Sequence, residues 1–305
     1  MRARRLPASR LRRRWHDGSI VSIAAKTQSL DDRLSKRNFD ALAKFIYSYS
    51  GIKMPLNKAT MLEGRLRRRL RVTGISSFDA YCDYLFNHGG IESETIYLID
   101  VVTTNKTDFF REPKHFEYMR DHALPEIFQN FSERRLRVWS SACSTGAEPY
   151  TLAMVLSDYM KSQAPDRDYF VLATDLSTDV LQKAQKGIYA SELMAPVPAD
   201  VMRRYVMQPA NKHRSEMRIT PKLRQKVGFA RLNLMDASYP VGDPMHIIFC
   251  RNVLIYFDKP TQQQVLSRLC DCLMPGGYLF IGHSETVTGF DLPIRQVANT
   301  VFKRV

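Results

Sequence analysis

Several absences narrow the reading of this 305-residue chain before any motif is considered. It has no apolar run long enough to span a membrane; the longest runs are short and read as buried strands. The five cysteines, Cys82, Cys143, Cys250, Cys270 and Cys272, are odd in number, and no C-x-x-C or Cys/His cluster occurs. That argues against a disulfide framework and structural zinc, so no metal is expected and a reducing cytoplasm fits best. No internal repeat of fixed period is visible. Acids are missing from one place: residues 1–14, "MRARRLPASRLRRR", hold seven arginines and no carboxylate.

The composition, 44% hydrophobic and 25% charged, is that of an ordinary globular protein. The formal net charge is +14, and the chain stays basic without its first 14 residues. A basic surface favours an acidic partner: nucleic acid, lipid headgroups or an acidic protein. The stretch 1–34 is read as a basic disordered tail, because its start lacks the apolar content for a core. A transit segment and a misplaced start codon are the other readings of its arginines.

From about 35 to 105 the apolar spacing is helical. Phe39, Leu42, Phe45, Ile46 and Tyr49 recur at helical intervals and Gly51 is a stop. "LNKATMLEGRLRRRLRVTG" follows, with Asn57 as cap and Gly74 as end. "SFDAYCDYLFNHGG" and "ESETIYLIDVVTTN" complete a small helical domain. Residues 106–133 are read as a linker. From 134 to 305 short apolar runs alternate with helical stretches, which predicts an α/β fold, a doubly wound and mostly parallel sheet. Residues 187–228 break the rhythm and are expected to be an inserted subdomain.

The stretch "VWSSACSTGAEPYTLA" (138–153) reads as strand, turn, helix. In doubly wound sheets such a turn sits at the ligand crevice. A dinucleotide turn needs several glycines so that backbone amides reach a pyrophosphate. Here there is one, Gly146, and the carboxylate of Glu148 would repel a phosphate. S-adenosylmethionine (SAM) has no phosphate; its sulfonium and α-ammonium attract a carboxylate. Asp175, ending the next strand, suits ribose hydroxyls, and Asn233, ending the third, could read adenine through its amide. Each also has a plainer explanation: Ser144 or Thr145 can cap the following helix without a ligand, and Asp175 can cap "STDVL". Their occurrence at three successive strand ends favours SAM.

At this point the chain resembles the chemotaxis receptor methyltransferases, the CheR family, over about residues 35–305. The motifs are "TTNKTDFFREP" (103–113), "SSACSTGAEPYTLAM" (140–154), "ATDLS" (173–177), "LNLMD" (232–236), "FCRNVLIYFD" (249–258) and "GGYLFIGHSE" (276–285). The resemblance implies a Rossmann-like SAM-dependent methyltransferase domain with an N-terminal all-α domain and a small β-subdomain. It implies methyl transfer from SAM to glutamate side chains of methyl-accepting chemotaxis receptors. It assigns SAM contacts to Asn105, Thr107, Arg111, Glu148, Asp175, Asn233, Leu234, Arg251 and Asn252. Read without it, Arg111 could simply pair with Glu112 or Glu117.

A glutamate acceptor is ionised at neutral pH and already nucleophilic, so no general base is expected. Alignment and water exclusion are the chain's tasks, with Arg251 or Arg111 as a possible orienting residue. The partner is expected to be the cytoplasmic, Glu-rich helical domain of the receptors. Arg65, Arg67, Arg68, Arg69 and Arg71 of "EGRLRRRLR" could dock it, or form a solvated face beside Leu66 and Leu70. Some members of the family tether a receptor C-terminal peptide on a Gly-rich turn of the β-subdomain. The segment "MQPANKHRSEMRI" (207–219) has no glycine, so no tether is expected. A monomer without membrane insertion is expected. A nucleic-acid methyltransferase is disfavoured because "RNVLIY" lacks a [DN]-P-P-[YF] segment. A non-catalytic SAM-binding module is disfavoured because the cofactor positions are intact.

Overall fold

The computed structural model describes residues 32–209, 211 and 215–305. The arginine-rich stretch therefore lies outside the described residues, as do 210 and 212–214 of the segment read for a tether. Residues 32–34 are not free tail. Asp32 accepts a hydrogen bond from Phe78 N at 2.9 Å, Leu34 N donates to Glu63 at 2.9 Å, and Leu34 is buried.

Four helices form the N-terminal domain: α1 Lys36–Ser50, α2 Ala59–Thr73, α3 Phe78–Asn87 and α4 Gly90–Val102. Ser35 and Ser77 cap α1 and α3, while Gly51 and Gly74 end α1 and α2 in the left-handed conformation. Asn57 is not the cap of α2; it falls inside a 3-10 turn, Leu56–Lys58, that leads into the helix. Leu42, Ile46, Leu62, Leu66, Phe78 and Leu98 meet in the core of this domain.

Within 106–133 only the residues up to Pro113 and the last three, 131–133, are free of helix. Between them run α5 Lys114–Tyr118, a π-helical turn Met119–Ala123, and α6 Leu124–Asn130. Phe116, Met119, Leu124 and Ile127 on this bent rod are buried in the main core, so the segment is part of the catalytic domain. Its polar-looking sequence hid that role.

The rest alternates as the spacing predicts. β1 Arg135–Ser140, α7 Ala147–Gln163, β2 Asp168–Asp175 and α8 Thr178–Lys186 come first. Then come β3 Ile188–Ala190, α9 Ala199–Tyr205, β4 Val206–Met207, β5 Glu216–Ile219 and α10 Pro221–Arg224. β6 Val227–Arg231, β7 Met245–Cys250, α11 Lys259–Asp271, β8 Leu273–Ile281, β9 Ile294–Ala298 and β10 Val301–Arg304 complete the chain. The main sheet has seven strands in the order β6-β2-β1-β7-β8-β10-β9; the pairs from β6 to β8 are parallel, and β10 runs antiparallel to both its neighbours. The interruption near 187–228 is a three-stranded antiparallel sheet, β3-β5-β4, and β6 already belongs to the main sheet.

Alternation along the central strands sends side chains to two cores. Val138, Ile247 and Phe249 pack on one face; Trp139, Ile248 and Cys250 pack on the other. Every residue of β7 is buried, which explains why it is apolar but for His246.

The helical domain is tied to the strand ends. Tyr47 donates to Asp258 at 2.6 Å, Asn233 Nδ2 to Tyr49 O at 2.7 Å, and Thr178 N to Asp100 at 2.9 Å. Gly51 sits at this junction with φ 70°, and a Cβ there would lie 2.6 Å from Met235 Sδ. Gly51→Ala is therefore predicted to destabilise the protein by at least about 1–2 kcal/mol, from the backbone strain alone, and to weaken ligand binding in the interdomain cleft. Denaturant unfolding with and without SAM checks both effects.

Candidate active site

Strand order reverses beside β1. The chain leaves β1 for β2 and β6, then returns to place β7 on its other side. Loops at the carboxyl ends of these two strands diverge and leave a crevice. A cleft of about 1130 Å³, counting its open mouth, occupies that place. Asn105, Thr107, Arg111, Glu148, Asp175, Asn233, Leu234, Arg251 and Asn252 all line it. The helical domain supplies the facing wall with Ile52, Met54, Lys58 and Met61.

The floor is organised by Arg251. Its side chain is only 1% exposed. Nη1 donates to Glu148 at 3.1 Å, and Nη2 donates to Glu112 at 2.9 Å and to the carbonyl of Arg111. The guanidinium lies 5.4 Å from the Phe116 ring centroid, and Phe116, Phe249 and Phe280 stack beneath it. Ser140 Oγ donates to the other oxygen of Glu148 at 2.7 Å, and Asn252 Nδ2 donates to Glu112 at 3.2 Å. With three of its five N–H donors engaged by the protein, Arg251 holds the floor together, and its buried Nε has no hydrogen-bond partner among the described residues.

Glu112 and Glu148 share this guanidinium but respond differently. Burial would raise the Glu112 carboxyl, but the hydrogen bond and charge of Arg251, with Asn252 helping, outweigh it and hold the group at about 2. Burial dominates at Glu148 and pushes its carboxyl up despite Arg251 and Ser140. Two carboxylates around one guanidinium leave a surplus of negative charge, which suits a cationic group and repels a phosphate.

Strained backbone surrounds the floor. Phe110, Glu112, Ser144 and Asn252 have φ of 53°, 57°, 49° and 58°, a region that L-residues other than asparagine rarely occupy. The turn at Asn252 is fixed by Glu285, whose carboxylate accepts from the backbone N–H of Gly282, Asn252, Val253 and Leu254 at 2.6–3.0 Å. Gly146 meets a packing need: a Cβ there would lie 2.8 Å from Tyr189 Oη and 2.9 Å from Ala184 Cβ.

Asp175 accepts from Ser144 N at 2.8 Å and Ser177 N at 2.9 Å, which leaves a lone pair on each oxygen for hydroxyl donors. Burial raises its carboxyl above the usual range. Asn233 lines the cleft and also has a structural role. Its Nδ2 donates to Tyr49 O and its Oδ1 accepts from Met235 N at 3.0 Å, so the amide first ties the strand end to the helical domain. Asn105 O accepts from Ser144 Oγ at 2.8 Å and locks the connecting segment onto the turn. Arg111 donates to Lys106 O at 3.2 Å rather than pairing with Glu112 or Glu117.

The five arginines of α2 do not form one docking face. Arg69 pairs with buried Glu94 at 2.5 Å and covers the Tyr97 ring at 3.9 Å. Arg65 binds the carbonyls of Val101, Val102 and Thr103 at the end of α4. Arg67 donates to Asp32 O at 2.6 Å. Arg68 and Arg71 are exposed.

Sequence reasoning missed Glu112, Ser140 and Glu285, which do not line the cleft but hydrogen-bond Arg251, Glu148 and the turn at Asn252. Each lies inside a quoted motif, but only the fold brings Glu112 to Arg251.

Comparison with known proteins fits this geometry. Residues 105–302 match the family model described as CheR methyltransferase, SAM binding domain, and residues 37–103 match CheR methyltransferase, all-alpha domain. The chain belongs to the CheR methyltransferase family. The chemotaxis protein methyltransferase of Escherichia coli (strain K12) is 40% identical over 88% of this chain and 91% of its own length. That of Borreliella burgdorferi is 36% identical over 86% and 92%. Chemotaxis protein methyltransferase 2 of Pseudomonas aeruginosa is 35% identical over 88% and 93%. As a CheR methyltransferase, this chain is a SAM-dependent enzyme of chemotaxis, and its cofactor is SAM. The residues present fit that cofactor: negative charge at Glu148, free acceptor capacity on Asp175, and buried Leu232 and Leu234 at the cleft wall.

Two predictions follow the charges. Arg251→Met leaves two buried or half-buried carboxylates unpaired and is expected to cost about 3–5 kcal/mol in denaturant unfolding. Glu112 has a depressed folded-state pKa, so its contribution is present above the unfolded value of about 4.3 and lost as pH falls towards 2. In acid titrations of unfolding free energy, Glu112→Gln should lack that component of the wild-type slope between those values.

Proposed function

We infer that this CheR methyltransferase transfers the methyl group of SAM to glutamate side chains on the cytoplasmic helical domain of chemotaxis receptors, forming methyl esters. The observation that carries the reading is the positive charge that lines the cleft, on Lys58, Lys106 and Arg111. A carboxylate acceptor is drawn to such charge, is ionised at neutral pH and attacks without a general base.

Bound SAM supplies a methyl group on a positively charged sulfur, a good leaving group. Glu148 would hold its ammonium, Asp175 its ribose hydroxyls, and Leu232 and Leu234 would flank the base. Lys58, Lys106 and Arg111 line the same cleft, so it carries positive charge as well as the acidic floor, which suits an incoming carboxylate. The helical domain covers the cleft and excludes water from the reacting groups. No general base is part of this scheme. A cytoplasmic location follows from the receptor face it modifies; among the described residues no helix is long and apolar enough to cross a membrane.

The test is transfer from methyl-labelled SAM to a receptor cytoplasmic fragment, followed by mild alkali. Label released as volatile methanol supports a carboxyl ester. Label that stays on protein through alkali, or that goes only to added nucleic acid, contradicts it. For docking, Arg68→Ala with Arg71→Ala is expected to raise KM for the receptor fragment at low salt and leave the SAM Kd unchanged. Arg69→Ala should instead lower stability, because it strands buried Glu94. Unchanged receptor KM in the double variant counts against docking on this helix.

A further inference from the structure

The geometry points to a binding site for a divalent transition-metal ion, of the zinc class, formed by Glu112, His115 and His283, whose occupancy opposes SAM binding. It begins with an imidazole whose hydrogen bonds do not close. His115 is 2% exposed. Its Nε2 lies 2.8 Å from Thr300 Oγ1, and that hydroxyl donates its proton to Asn299 O at 2.7 Å. The hydroxyl must therefore accept from Nε2–H, which leaves Nδ1 of the neutral ring with a bare lone pair. Nδ1 has no hydrogen-bond partner among the described residues. It faces Glu112 Oε2 at 3.5 Å, so two acceptors confront each other with nothing positive between them.

His283 Nε2 lies 3.9 Å from the same carboxylate oxygen. The three donor atoms fall within 4.8 Å of one another. Ligand atoms in a tetrahedral zinc site are about 3.3 Å apart, from bonds of about 2.0–2.1 Å. His283 is 43% exposed and has room to close the difference. A surface groove lined by His115, His283 and Asn299 gives an ion access. Two imidazoles and one carboxylate are a donor set that zinc favours, and Thr300 is the outer partner that orients the buried imidazole. The sequence shows no metal spacing because His283 comes from the end of β8, far along the chain from the other two.

The link to SAM runs through one atom. Glu112 Oε2 also accepts from Arg251 Nη2. A dication on that oxygen competes with Arg251 for it and cancels the surplus negative charge of the floor. By linkage, zinc weakens SAM and SAM weakens zinc by the same factor.

The test is calorimetric titration of ZnCl2 into the full chain, with SAM Kd measured in the presence and absence of zinc. Wild type is expected to bind one zinc ion per chain, reversibly with EDTA. His283→Asn, a surface change, is expected to weaken zinc by at least about 10-fold and to leave SAM Kd in zinc-free buffer unchanged. Saturating zinc should raise the SAM Kd of wild type and not of His283→Asn. His115→Gln should lose zinc as well. No saturable binding, or equal zinc affinity in wild type and His283→Asn, overturns the site; unchanged SAM Kd at saturating zinc overturns the antagonism. None of these readouts uses a methyl acceptor, so they stand apart from the glutamate reading.

Discussion

The burial of one guanidinium between two carboxylates is the constraint on which the site depends. Arg251 leaves the end of β7, Glu148 stands in the first turn of α7, and Glu112 comes from the segment that joins the two domains. Three separate parts of the chain therefore meet at a single cation. An unpaired charge at that depth costs several kcal/mol, so the segments are held in place together. The left-handed residues Phe110, Glu112 and Asn252 show the backbone bending to reach this arrangement, and the aromatic stack under Arg251 fixes its plane.

The same floor explains ligand choice on a fold shared by many nucleotide-binding proteins. The start of α7 is a natural anion site, yet Glu148 occupies its first turn. Paired with Ser140 and Arg251, that carboxylate turns the crevice from a phosphate cradle into one for a cation. The helical domain adds the opposite wall. Its hydrogen bonds through Tyr49, Asp100 and Tyr47 make the cleft an interdomain structure, so mutations at that seam reach the ligand without touching it.

Much of this was legible in the sequence. Helical spacing and Gly51 placed α1, and short β-branched or apolar runs placed β1, β2 and β7. The single glycine with Glu148 pointed away from a dinucleotide. The missing parts share a physical cause: they depend on contacts between distant segments. Nothing local in "FFREP" shows that Glu112 meets Arg251, because its left-handed conformation is carried by a residue that does not advertise it. The helix from Lys114 to Asn130 was hidden behind polar residues, though Phe116, Met119 and Ile127 recur at helical intervals. The arginines of α2 looked like one docking face, but Glu94 and the end of α4 claim Arg69 and Arg65. The tie from Asn233 to a carbonyl of α1 was not legible either, because that partner belongs to another domain.

The central claim is that the carboxylates of the floor serve the ammonium group of SAM. Equilibrium binding of SAM and of 5′-methylthioadenosine, which keeps the adenosine and lacks the ammonium, to wild type and Glu148→Gln tests it directly. The account predicts that the substitution weakens SAM by on the order of 10-fold or more, the scale of a charged hydrogen bond, and leaves methylthioadenosine unchanged. Equal losses for both ligands, or no loss for SAM, would contradict it.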